Sequence, residues 1–243
     1  LTSQPKQYFY FSLKNHNHMS SQTDPITSEQ MYKIEDNGST LLGLPKSFMM
    51  ENAGHGLADY IISHFGTDLS DRKIVSFCGT GNNGGDALVA SRHISGYGGA
   101  EITVVMLGDR EKIKTEESLT NWRIIEKIKS VLVIQDLNQL PKLSSNDIII
   151  DGIFGTGING DIKEPYSTAI EFINSSDAYV ISVDIPSGLD PDNGTIRDKC
   201  VKADATITFH RIKKGLLNKN DVTGNIILEK IGIPIEAEYG VLS

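Results

Sequence analysis

Lys73-Ile74-Val75-Ser76-Phe77-Cys78 runs straight into Gly79-Thr80-Gly81-Asn82-Asn83-Gly84-Gly85-Asp86 and then into an apolar, helix-like stretch over residues 87–94. A strand, a glycine-rich bend and a helix in immediate succession start a strand–helix alternation, and on that reading the fold turns. Glycines here permit close backbone approach, so the bend can lay its amides around a ligand at a helix N-terminus. Gly79, Gly81 and Gly84 satisfy G-x-G-x-x-G, the dinucleotide fingerprint, which is weak evidence alone. Asp86 adds information. Expected in the first helical turn, its carboxylate would suit the helix dipole but repel a pyrophosphate on the same amides unless a cation lay between. The bend is therefore not read as an ordinary phosphate cradle. A plain tight turn with Asp86 as a cap is the alternative.

Outward from this stretch, strand-like segments at 73–78, 102–107, 131–134, 147–154 and 179–184 alternate with helical patterns at 86–95, 115–129 and 166–174, and apolar runs at 205–209 and 225–231 follow. This predicts an α/β fold with a mostly parallel sheet and helices on both faces. Upstream, Thr27-Ser28-Glu29-Gln30 is a capping-box pattern opening a helix expected to break near Gly38, and Met50, Ala53, Leu57 and Ile61 mark a second helix from about Pro45. These form an N-terminal helical layer. Residues 1–23 read as a flexible tail with Met19 as a candidate start, and 24–243 as one domain.

The 243 residues are 39% hydrophobic and 22% charged, with net charge -8, which argues against nucleic-acid and anionic-membrane binding. No apolar run approaches the roughly 18 residues that span a bilayer. Cys78 and Cys200 form no C-x-x-C pair, so neither a disulfide framework nor a zinc site is indicated, and a cytoplasmic location fits.

In doubly wound sheets ligands bind beyond the carboxyl ends of strands. Two further polar loops leave such ends: Asp151-Gly152-Ile153-Phe154-Gly155-Thr156-Gly157-Ile158-Asn159-Gly160-Asp161, then Ile162-Lys163; and Val183-Asp184-Ile185-Pro186-Ser187-Gly188-Leu189-Asp190. Asp151 closes a run of isoleucines, where a carboxylate is costly to bury unless a cation or a donor network meets it. Oxygens of Asn83, Asp151 and Ser187, with main-chain carbonyls, would suit a hard, and with so few carboxylates a monovalent, cation. Ser187 lacks a G-x-S-x-G elbow, so serine hydrolysis is disfavoured. His210 follows a strand beside Arg211, Lys213 and Lys214, and these cations are candidates to meet phosphate.

Taken jointly, residues 81–86, 151–157 and 183–190, with Met50-Glu51-Asn52-Ala53-Gly54 and the late 206–216 and 231–234 segments, resemble the NAD(P)H-hydrate epimerase family, the YjeF N-terminal domain, over about residues 26–235. The resemblance implies a Rossmann-like, three-layer α/β/α isomerase that interconverts the R and S epimers of NADHX and NADPHX at C6 of the damaged ring, for metabolite repair. It implies a substrate site on Asn82, Asn83, Gly84, Gly85, Asp86, Gly155, Thr156, Gly157, Ile158, Asn159, Gly160, Asp161 and Asp184, and one K+ held by Asn83, Asp151 and Ser187. Repair would then need a separate NAD(P)H-hydrate dehydratase. Inverting a hemiaminal carbon requires a proton donor and acceptor, and Asp184 is the first candidate, with Asp161 and Lys163 next. A homodimer through the helical layer is expected. Two rivals are an NAD-dependent dehydrogenase with Asp109 as ribose-binding acid, and a noncatalytic scaffold, which predicts eroded loops.

Overall fold

The computed structural model describes residues 24–155, 161–196 and 198–242, so the expected tail lies outside the described residues. The chain runs α1 (Ser28–Thr40), α2 (Lys46–Phe65), β1 (Lys73–Cys78), α3 (Asn82–Ser95), β2 (Glu101–Met106), α4 (Glu116–Ile125), β3 (Val131–Ile134), β4 (Ile148–Gly152), α5 (Tyr166–Ser175), β5 (Tyr179–Val183), β6 (Ala205–Phe209), α6 (Asn220–Thr223) and β7 (Asn225–Glu229). The seven strands form one sheet in the order β3-β2-β1-β4-β5-β6-β7. Every adjacent pair is parallel. This is the Rossmann-like layering expected.

Side-chain alternation explains the three layers. Along β1, Ile74 and Cys78 join the core that α1, α2, α3 and α4 cover. Val75 and Phe77, pointing the other way, join the core closed by Ala169, Ile170 and Ile173 of α5. Among the described residues the crossover from β5 to β6 carries no helix, and a small cluster around Ile185, Leu189 and Leu216 packs it instead.

Winding proceeds from β1 outward to β3 and then returns to β4 on the other side of β1, so the reversal lies between β1 and β4. Ligands of such sheets collect at the carboxyl ends of those two strands.

Two local expectations change. α1 opens with the capping box, Gln30 N donating to Thr27 Oγ1 at 3.2 Å and Thr27 N to Gln30 Oε1 at 2.9 Å. It then runs through Gly38 to Thr40 rather than breaking there. Gly38 is a contact residue: a Cβ on it would lie 2.9 Å from Met49 Cε. α3 begins at Asn82, so the bend is only Gly79-Thr80-Gly81, and Asp86 is the fifth helical residue, outside the first turn. The helix dipole therefore does not account for Asp86, and neither does a capping role.

Candidate active site

The floor of the site is backbone against backbone. A Cβ on Gly79 would stand 1.9 Å from Ile153 O, and one on Gly84 1.9 Å from Gly79 O. Only glycine lets β1, α3 and the β4 loop meet this closely. Gly79 N also donates to Gly152 O at 3.0 Å, stitching the two strand ends together.

Asp151 is fully buried at the end of β4. Its carboxylate accepts from Ser182 Oγ (2.8 Å), Ser187 N (2.9 Å), Ser187 Oγ (2.6 Å) and Ile153 N (3.3 Å). Of the two ways to offset its desolvation, the donor network is present. Burial still holds its pKa above the usual carboxylate range, with the Ser187 and Ser182 hydrogen bonds opposing. Ser187 Oγ also accepts from Phe154 N at 2.9 Å and lies 3.3 Å from Phe154 O. The Asn83 amide donates to the carbonyls of Phe154 and Val183. Asn83, Asp151 and Ser187 thus gather around one carbonyl-rich point, linked through Phe154.

Asp184 follows β5 with φ +64°, a conformation unfavourable for a non-glycine residue. Its Oδ1 accepts from Thr208 Oγ1 (3.1 Å), Phe209 N (3.2 Å) and Lys213 Nζ. Lys213, 1% exposed, also donates to Phe209 O at 3.0 Å. A buried carboxylate is tolerated here because a buried ammonium answers it.

Above this pair opens a cleft of about 620 Å³, bounded by α1, the start of α2, the head of α3 and the ends of β4, β5 and β6. Asn82, Asn83, Asp86, Gly155 and Asp184 line it. So do Glu35, Lys46, Lys213 and, near Thr80, Lys112 and Lys114. Burial pushes the Glu35 carboxyl up to about 7, against the pull of Lys213. Asp86 is held well above the carboxylate range by burial, then by Asp184 and Glu35, with Lys213 opposing.

Several sequence expectations are placed differently. Asp161 and Lys163 are exposed and, among the described residues, do not line the cleft. Thr156, Gly157, Ile158, Asn159 and Gly160 lie outside the described residues. Lys213 and Arg211 do not wait for phosphate: the first pairs with Asp184, and Arg211 grips Glu238 through Nε (2.8 Å) and Nη2. His210 is buried with its Nε2 2.9 Å from Glu238 Oε1. Asp109 caps a short turn, accepting from Glu111 N at 3.0 Å, and does not line the cleft as a ribose ligand would. The loops a scaffold would be expected to lose retain their polar residues.

Glu35 and the pairing role of Lys213 went unread in the sequence. Glu35 lies four residues after Met31 on the buried stripe of α1, a carboxylate where an apolar side chain was due. That was a usable signal. Nothing comparable marks Lys213, which sits in a run of three other basic residues.

A model of the family described as YjeF-related protein N-terminus matches residues 46–215. The chain belongs to this family. It is 48% identical over 217 residues to an NAD(P)H-hydrate epimerase of Cenarchaeum symbiosum, covering 89% of this chain and 99% of that protein. Another NAD(P)H-hydrate epimerase, from Nitrosopumilus maritimus, matches with the same identity and coverage. A bifunctional NAD(P)H-hydrate repair enzyme Nnr of Methanothermobacter thermautotrophicus is 43% identical over 210 residues, 84% of this chain and 39% of that protein. The crystal structure of yeast ynu0 superposes with a TM-score of 0.68 at 24% identity, over 79% of this chain and 82% of that one, and it shows the shared fold.

Proposed function

We propose that this YjeF-family protein is an NAD(P)H-hydrate epimerase, an isomerase that inverts C6 of the hydrated nicotinamide ring in NADHX and NADPHX. The observation that carries the reading is 48% identity to NAD(P)H-hydrate epimerases matched over 99% of their length. The cleft supports it. At about 620 Å³ it suits the reacting half of a dinucleotide. Exposed Lys112 and Lys114 bring positive charge to the rim of an acidic protein.

C6 carries a hydroxyl next to the ring nitrogen, and inversion requires that C–O or ring C–N bond to break and re-form. Asp184, aimed into the cleft and anchored by Lys213, transfers a proton at that oxygen. Asn82, Asn83, Asp86 and Gly155 hold the substrate over the buried, close-packed Gly84 and Gly85, with Asp161, Lys163 and residues 156–160 as the loop expected to complete the site. Residues 24–243 act as one catalytic unit.

The oxygens around Phe154 fit potassium, because the Asn83 amide nitrogen lies between two carbonyl oxygens where a small positive charge is favoured. Asn83 and Ser187 would hold the ion, with Asp151 supplying the negative charge and fixing Ser187. When bound, potassium would supply a fixed positive charge near the nucleotide.

Repair then needs a dehydratase, expected as a separate chain, since relatives matched over 99% of their length carry the epimerase name alone while the bifunctional one extends well past the match. Leu41 and Phe48, 72% and 59% exposed beside the helical layer, support a homodimer. A reducing cytoplasm suits the unpaired Cys78 and Cys200. Among the described residues no helix is long and apolar enough to cross a membrane.

The test is chromatographic separation of NADHX epimers with one depleted, followed over time. Rapid return to the equilibrium ratio is expected with protein; return at the spontaneous rate would overturn the reading.

A further inference from the structure

Asp86 is 7% exposed and lines the cleft, yet among the described residues its carboxylate has no hydrogen-bond or ion-pair partner. A carboxylate buried to that extent without a partner awaits a ligand or keeps a proton. Glu35, half-buried on α1, lines the same cleft and is likewise without a hydrogen-bond or salt-bridge partner among the described residues. The two arrive on α1 and α3, whereas Asp184 and Lys213 arrive from the ends of β5 and β6. The groups facing Glu35 are Asp86 on α3, Asp184 and Lys213 on the β5–β6 side, and Lys46 at the start of α2.

We propose that Glu35 and Asp86, one of them protonated, form the second proton-transferring element of the reaction, acting on substrate from a separate wall to the Asp184–Lys213 pair. This deepens the epimerase reading and rests on it. One carboxylate serves a single face of a ring, whereas inversion must deliver oxygen to both. In the water-loss route the C6–O bond breaks as the Glu35/Asp86 proton passes to the departing oxygen, and the ring-nitrogen lone pair closes a C=N bond. Water then adds to C6 from the other face, its proton passing to Asp184 as the new C–O bond forms. One proton leaves one wall and one arrives at the other, and the reverse epimerisation runs with the roles exchanged. Glu35, raised to about 7, is matched to that exchange near neutral pH.

The test uses the full chain. Wild-type activity on NADHX is measured first, so failure of the functional reading shows as no activity at any pH. With activity present, the wild-type rate is expected to fall as pH rises through about 7, where that proton is lost. Glu35→Gln and Asp86→Asn should each lower kcat by about 10² to 10⁴ and abolish that limb, Glu35→Gln should leave KM within about threefold, and Glu35→Asp should restore most of the rate. Folded variants that keep kcat within about threefold and retain the limb overturn the proposal. If a variant fails to fold, carbon-13 titration of the individually assigned wild-type carboxyls decides without substrate: Glu35 and Asp86 both titrating above the ordinary carboxylate range support the proposal, and an ordinary value at either overturns it.

Discussion

Asp184 combines burial, a left-handed backbone and a lysine counter-charge, features a fold tolerates together only where the surroundings over-determine them. Removing the lysine should therefore be costly. Lys213→Met is expected to destabilise the protein by about 3 to 5 kcal/mol, because it leaves a buried charge unanswered, and to lower epimerisation sharply. Denaturant melts beside activity check both, and an unchanged melt would show that the pair anchors nothing. His210 sets a different window. Burial lowers its pKa to about 4 from 6.5, so the unfolded chain binds a proton that the folded one refuses. The stability this gives is present above pH 6.5 and lost as pH falls towards 4, on the order of 3 kcal/mol. His210→Asn, which tolerates the φ of +62° there, should flatten the melting temperature over that interval.

At the scale of elements, the site depends on how closely β1, α3 and the β4 loop approach. Gly79→Ala would drive a methyl to 1.9 Å from Ile153 O, and since both partners are backbone, the loop must move. A loss of at least about 3 kcal/mol with no detectable activity is expected, read by soluble yield and thermal melts. Where the sequence was legible, periodicity carried it. The runs at 73–78, 131–134 and 205–209 coincide with β1, β3 and β6, because β-branched and other strand-favouring residues dominate each of them. The start of α3 was not legible: Asn82, Asn83, Gly84 and Gly85 are turn residues by propensity, and packing beneath Met50 and Ser118 makes them helical. That Asp151, Asn83 and Ser187 lie close together was legible because each ends or follows a strand at the same edge of the sheet. Glu35 and Lys213 could not be brought to Asp184 from sequence, since α1 and the segment after β6 meet the site only through tertiary packing.

Over the whole molecule, an acidic chain of net charge -8 must hold a nucleotide that carries at least two negative charges, and local cations have to offset this. If potassium binds the folded form alone, it raises stability by about 2.7 kcal/mol at one hundred times its Kd. The melting temperature should thus rise with potassium chloride but not with choline chloride of equal ionic strength, and Asn83→Ala should remove the difference. Equal response to both salts would exclude a specific ion. The proposed epimerisation stands on Asp184 moving a proton at the strand-end cleft. Its most direct measurement is the return of a single-epimer-depleted NADHX pool to equilibrium with wild type and with folded Asp184→Asn. Rapid return with the first and the spontaneous rate with the second are expected; an Asp184→Asn protein as fast as wild type would contradict it.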